Sequence, residues 1–216
     1  MGMSREEQDD YALESYKRTE EAMKSGVFDR EIVAVDNGKK VVTEDEEVGR
    51  FDSTTFRTGR TLWGDTIGWG SCSKLADGAA AALLVNETGL ESLALKPLAR
   101  VLGYSDAAVQ PTDWPVAPAV GVKQLLDRNR LSVGDISLWE INEAFAVVVL
   151  ANCKLLGIDT TKVNVHGGAI SIGHPFGMSG ARITNHLILS LEPGQLGVAT
   201  LCNGGGGAGS ILVQRL

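Results

Sequence analysis

The sequence predicts an α/β domain preceded by a smaller, less regular region, and three observations lead there. From Ala79 onward, short apolar runs alternate with longer helix-like stretches, the order that builds a sheet covered by helices. Of the 216 residues, 44% are apolar and 22% charged, a composition that can bury a core and is not that of a disordered chain. The chain is also organised around one stretch, Asn164 to Gly180, which holds five glycines, one proline and two histidines just ahead of a helix-like run. The boundary is expected near residue 75, with residues 1–75 as the smaller region and 76–216 as the α/β domain.

Within the first region, Ser4-Arg-Glu-Glu7 matches a capping box, so a helix is expected from there to about Lys24, ended by Gly26. Leu13, Tyr16 and Met23 fall near one face of it. Glu31 to Val35 reads as a short strand, Asp36-Asn-Gly38 as a turn and Glu44 to Glu47 as a solvated charge run. Residues 51–73 show no periodicity and no run expected to pack as an element. In the second region Ala79–Val85 reads as a buried strand, Leu98–Tyr104 as another, Ala117–Asn129 as a helix and Ile136–Ile141 as a strand. A helix over Ala144–Leu156 is apolar almost all round and should be buried. Ala181–Leu191 is helical, and Gly197–Cys202 and Gly209–Gln214 are closing strands. That makes five strands in the second region.

A net charge of −7 disfavours nucleic acid or an anionic membrane as the main partner. No apolar run reaches the roughly 18 residues that span a bilayer. Three cysteines without tight spacing read as reduced thiols of an intracellular compartment. The N-terminus opens on an acidic, helix-like segment rather than a signal or transit peptide, so a targeting segment, if there is one, would lie outside this sequence.

The chemistry concentrates in the glycine loops. His174 sits between Gly173 and Pro175, and a histidine there can move protons near neutral pH or can simply order the loop. Cys202 opens a second loop, Gly204 to Gly207, whose bare amides could stabilise a thiolate; the alternative is a small buried hydrophobe at a strand end. Asn142 lies between an expected strand and an expected helix, where an N-cap is its plain role. His166 and His186 read as structural, and Cys153, in the apolar helix, as inert.

Three blocks in order carry a resemblance: Asn142-Glu-Ala-Phe145, Gly173-His-Pro175 with Gly177-Met-Ser-Gly180, and Cys202-Asn-Gly-Gly-Gly206. Together they resemble the signatures of the thiolase family, and the similarity runs from about Ser4 to Leu216 with a break between Phe51 and Ser73. The resemblance implies a thiolase-like C-terminal domain, a mixed five-stranded sheet with helices on both faces, preceded by part of a loop domain that folds over coenzyme A. It implies acetyl-CoA C-acetyltransfer, either condensing two acetyl-CoA or cleaving acetoacetyl-CoA with coenzyme A, with the thioester as substrate and no covalent cofactor. His174 would activate a nucleophilic cysteine. Cys202 would exchange a proton with the α-carbon, and Gly204 would help form an oxyanion site. Asn142 would hold a water for the enolate, and Glu143 would support it. Ser73 falls where the family has a serine lining the coenzyme A pocket, and Tyr11 where a tyrosine helps hold potassium. The N-terminal domain that carries the acyl-accepting cysteine is not recognisable in this sequence, so the chain is expected to be inactive alone. A homo-oligomer or an association with a full-length thiolase follows, in mitochondria by resemblance, with the cytoplasm as the alternative. Two other readings stay open: a non-catalytic truncated paralogue binding a thiolase or coenzyme A, and a Cys202/His174 thioester hydrolase.

Overall fold

The computed structural model describes residues 1–52 and 56–216. In chain order its elements are helix α1 (Arg5–Lys24), strands β1 (Val35–Asp36), β2 (Val41–Val42), β3 (Thr61–Trp63) and β4 (Ile67–Gly68), helix α2 (Glu87–Leu93), strand β5 (Ala99–Ala108), helix α3 (Ala117–Asn129) and strand β6 (Leu138–Ile141). Helices α4 (Ala146–Leu156), α5 (Ala169–Ile172) and α6 (Ser179–Ser190) follow, then strands β7 (Leu196–Asn203) and β8 (Gly207–Arg215). The chain divides into two compact units. One comprises Met1–Asp77, Glu143–Leu150 and Asn164–Pro175; the other comprises Gly78–Asn142, Ala151–Val163 and Phe176–Leu216.

In the first unit α1 begins as its capping box predicts. The Ser4 hydroxyl accepts the Glu7 N–H at 3.1 Å, and the Glu7 carboxylate accepts the Ser4 N–H at 2.7 Å, which satisfies two N-terminal donors reciprocally. The buried face differs from the expected one. Leu13 and Met23 are only half-buried, whereas Tyr11, Ser15 and Thr19, spaced by four, are buried, so this helix hides a hydroxyl stripe. Beside it Tyr16 stacks on Phe51 at 4.2 Å. The turn at Asp36–Gly38 joins β1 to β2, with Gly38 at φ +79° and its N–H donating to the Asp36 carboxylate; the expected Glu31–Val35 strand shrinks to Val35–Asp36. Residues 61–71 do form elements, contrary to expectation. β3 and β4 form an antiparallel hairpin, and Gly70 lies so close to Phe56 that a Cβ would meet the ring at 2.7 Å. Ser53, Thr54 and Thr55 lie outside the described residues.

The second unit holds a mixed sheet in the order β5-β8-β7-β6, antiparallel except for the β6/β7 pair. Four strands form it where the sequence predicts five. Ala79–Val85 forms no regular element and is exposed, with Leu84 at 75%, and among the described residues it joins no strand. Side-chain alternation gives the sheet two faces. Ser210 lies under Gly121 of α3, and Leu125 of the same helix lies over Gly103. The opposite parity, Ala199, Val213 and Ile211, packs with Ile183, Leu187 and Leu191 at α6. Helices therefore cover both faces, as the expected fold class requires. Gly197 is where α6 comes closest, since a Cβ there would meet Leu187 at 2.8 Å.

Candidate functional site

In the first unit the glycine-rich stretch folds as a tight corner. Asn164, Gly167 and Gly173 all have positive φ, at +47°, +77° and +90°, and α5 is a single turn between the two glycines. Gly173 is held to glycine twice over: by its φ, and because a Cβ would meet the methyl of Ala76 at 2.6 Å. His174 follows directly, with its N–H donating to the Lys74 carbonyl at 2.8 Å and only 8% of its surface exposed. Burial lowers its pKa below the ordinary histidine value, so the ring is neutral at physiological pH and able to take a proton. A depressed folded-state pKa contributes stability above pH 6.5 that is lost as pH falls through the folded value. Urea midpoints measured from pH 7 down to pH 5 are expected to fall further in the native protein than in His174→Gln.

What holds this corner is a buried carboxylate. Glu143, 1% exposed, accepts from the Tyr11 hydroxyl at 2.8 Å, the Ser15 hydroxyl at 2.7 Å, the Asn164 amide at 3.2 Å and the Ile170 N–H at 3.1 Å. A carboxylate has acceptor sites for all four. Gly168 makes room for it, because a Cβ there would meet the Glu143 carboxyl carbon at 2.7 Å. Around it Thr19 shares a hydrogen bond with Ser171 at 2.6 Å and donates to the His166 carbonyl at 3.1 Å. The sequence placed Glu143 only as a support at a helix N-terminus. The helix it serves is α5, 27 residues away, and not the helix that follows it. The one signal available beforehand was the Tyr11–Ser15–Thr19 spacing.

In the second unit Cys202 lies near the end of β7, paired with Ala208 of β8, on the face opposite Ala199 and Leu201. It is 6% exposed, and burial pushes its thiol up to about 11, so it is a protonated thiol at neutral pH. The loop beyond it is the β7–β8 turn. Gly205 and Gly206 have φ of +88° and +93°, while Gly204 is exposed with nothing within 4 Å of a Cβ placed on it. Asn142 is 2% exposed, and its N–H donates to the Thr200 carbonyl at 3.0 Å, continuing the β6–β7 ladder. It is not an N-cap, because α4 starts four residues later at Ala146.

The remaining candidates fall as follows. The Ser73 hydroxyl and N–H both donate to the Ala144 carbonyl, at 3.0 and 3.1 Å, which leaves the hydroxyl able to accept. The Tyr11 oxygen donates to Glu143 and accepts from the Asn164 amide at 2.9 Å. It ties Glu143 to Asn164 within the protein; among the described residues no group of three or more His, Cys, Asp or Glu could hold a metal ion. Cys72 and Cys153 are buried with thiols pushed up to about 11 and about 12. His186 is 1% exposed within α6. No helix of the described residues is long and apolar enough to cross a membrane.

A four-stranded mixed sheet faced by α3 and α6, with a histidine behind a left-handed glycine and a cysteine ahead of a glycine turn, defines a class that comparison makes explicit. The family model for the thiolase C-terminal domain matches residues 95–215, and that for the thiolase N-terminal domain matches residues 1–88. The chain belongs to the thiolase family. It is 48% identical to the mitochondrial acetyl-CoA acetyltransferase of Mus musculus, over 100% of this chain and 53% of that protein. A thiolase of Ascaris suum solved in complex with coenzyme A superposes with a TM-score of 0.95 at 45% identity, over 99% of this chain and 56% of the other. The dimeric peroxisomal thiolase of Saccharomyces cerevisiae gives 0.94 at 32% identity, over 99% and 55%. The chain thus spans about half the length of the curated relatives it matches.

Proposed function

We propose that this chain supplies the acid–base part of acetyl-CoA C-acetyltransfer. The observation that carries the reading is the state of Cys202: a buried thiol kept protonated by its surroundings, next to an open glycine turn. A thiol in that state serves as an acid, which cleavage of acetoacetyl-CoA needs when the C2–C3 bond breaks. His174 takes the proton of a nucleophilic thiol, and that thiolate attacks the C3 carbonyl. The C2–C3 bond breaks with its electron pair going to C2, and Cys202 gives its proton to C2, releasing acetyl-CoA. The coenzyme A thiol then attacks the acyl thioester. Its proton restores Cys202, and the departing thiolate recovers its proton from His174. The Gly204 N–H stabilises a developing oxyanion, Asn142 does so through a water, and Ser73 accepts a hydrogen bond from coenzyme A.

The nucleophilic thiol is proposed to come from outside these 216 residues, because none of Cys72, Cys153 and Cys202 stands in a block resembling the family's nucleophilic-cysteine signature. A homo-oligomer or an association with a full-length thiolase would supply the missing group. The compartment we propose is the mitochondrion, that of the acetyl-CoA acetyltransferases it is similar to.

The test is cleavage of acetoacetyl-CoA by the purified chain, with and without an added thiolase segment bearing the nucleophilic cysteine. No cleavage is expected from the chain alone. Activity is expected in the mixture and should be lost with His174→Ala or Cys202→Ala. Cleavage by the unaided chain that disappears in Cys202→Ala would refute this division of labour, and silence in the mixture would favour the non-catalytic paralogue.

A further inference from the structure

We propose that Glu143 is a positioning residue for His174, holding the first turn of α5 against α1 and thereby setting how deeply the imidazole is buried. The inference rests on the reading of His174 as the reacting base. Three observations, all within one compact unit, lead to it.

The bond from Glu143 to the Ile170 N–H closes on the second residue of α5, four residues before His174. A single helical turn has little stability of its own, so its position depends on what grips it. The grip is two-ended. Glu143 binds the N–H side, and the Lys74 ammonium lies 3.4 Å from the Ile170 carbonyl, held there over the Tyr16 ring and beside Glu47. The Lys74 carbonyl in turn accepts the His174 N–H.

The other three donors to Glu143 come from α1 and Asn164, so the carboxylate ties three separate stretches of chain at one point. Gly168 and Gly167 show how closely the parts approach: a Cβ at Gly168 would strike Glu143, and one at Gly167 would strike Thr19. The titratable groups facing this turn are Glu143, Tyr11, Tyr16, Lys74 and Glu47. Only burial, and no neighbouring charge, lowers the His174 pKa. Loosening the turn should therefore act on His174 through solvent access.

The experiment is an NMR titration of the histidine ring protons in the purified chain, which has only three histidines. In Glu143→Ala the His174 midpoint is expected to rise towards the ordinary value of 6.5, with Glu143→Gln, which keeps an acceptor for Ile170, falling between alanine and native. His186, in the other unit, should not move. An unmoved His174 in folded Glu143→Ala overturns the proposal, as does an equal shift of His174 and His186, which would mean general loosening. If Glu143→Ala does not fold, the Tyr11→Phe/Ser15→Ala pair is read in its place. It keeps the carboxylate but removes two of its anchors; a rise of His174 supports the proposal and none overturns it. The titration needs no turnover. If His174→Ala keeps full activity in the complemented cleavage assay, the role of His174 fails, whatever the titration shows.

Discussion

Gly206→Ala is expected to destabilise the second unit by about 3 kcal/mol or more in urea unfolding, the largest effect of any glycine in the β7–β8 turn. Its φ of +93° is a region that L side chains rarely adopt, and a Cβ there would lie against the Val109 carbonyl and 3.1 Å from that of Gln110. Neither backbone can yield easily, because the Val109 N–H is itself bonded to the Gly206 carbonyl at 2.9 Å. The two neighbours calibrate the cause. Gly205 has a φ of +88° but nothing within 4 Å of its Cβ position, so Gly205→Ala should incur only the backbone strain of about 1–2 kcal/mol. Gly204 has open space and no positive φ, so Gly204→Ala should be within about 0.5 kcal/mol of native. Equal losses at all three positions would contradict the steric account.

Leu187→Ala is expected to cost about 2–5 kcal/mol. Leu187 is 1% exposed and fills the space that Gly197 leaves above β7, among Ile183, Leu191, Ala199 and Val213. The glycine and the leucine are complementary, so truncating the leucine opens a cavity that rigid β7 cannot close. Leu155→Ala is the control. At 42% exposure in α4, it should lower the urea midpoint far less.

Local rules were legible wherever one residue type settles one conformation. The capping box at Ser4 set the start of α1, Gly26 set its end, and the helix expected over Ala117–Asn129 matches α3 to the residue. The thiolase blocks around Asn142, His174 and Cys202 were readable for the same reason, as glycines and reactive side chains in short fixed order. Two kinds of feature were not readable. Ala79–Val85 has the composition of a buried strand, but an apolar run does not say whether a partner strand exists in the same chain. The hairpin of residues 61–68 lacks periodicity because its packing depends on Trp63 against Phe145 and Gly70 against Phe56, contacts distant in sequence or specific in shape. Glu143 combines both difficulties. Its partners Tyr11 and Ser15 lie 132 and 128 residues away, and nothing in Asn142-Glu-Ala-Phe145 points to them.

The central claim is that Cys202 moves the α-proton of the acetyl group. It is tested most directly by exchange of the acetyl-CoA methyl protons in D₂O, followed by proton NMR with the purified chain. This partial reaction needs no acyl-accepting cysteine. The account predicts loss of the methyl signal with the native chain and a rate lower by about 10²–10⁴ in Cys202→Ala. Exchange at equal rates in both proteins, or none above buffer with the native chain while coenzyme A binding is demonstrable, would contradict it.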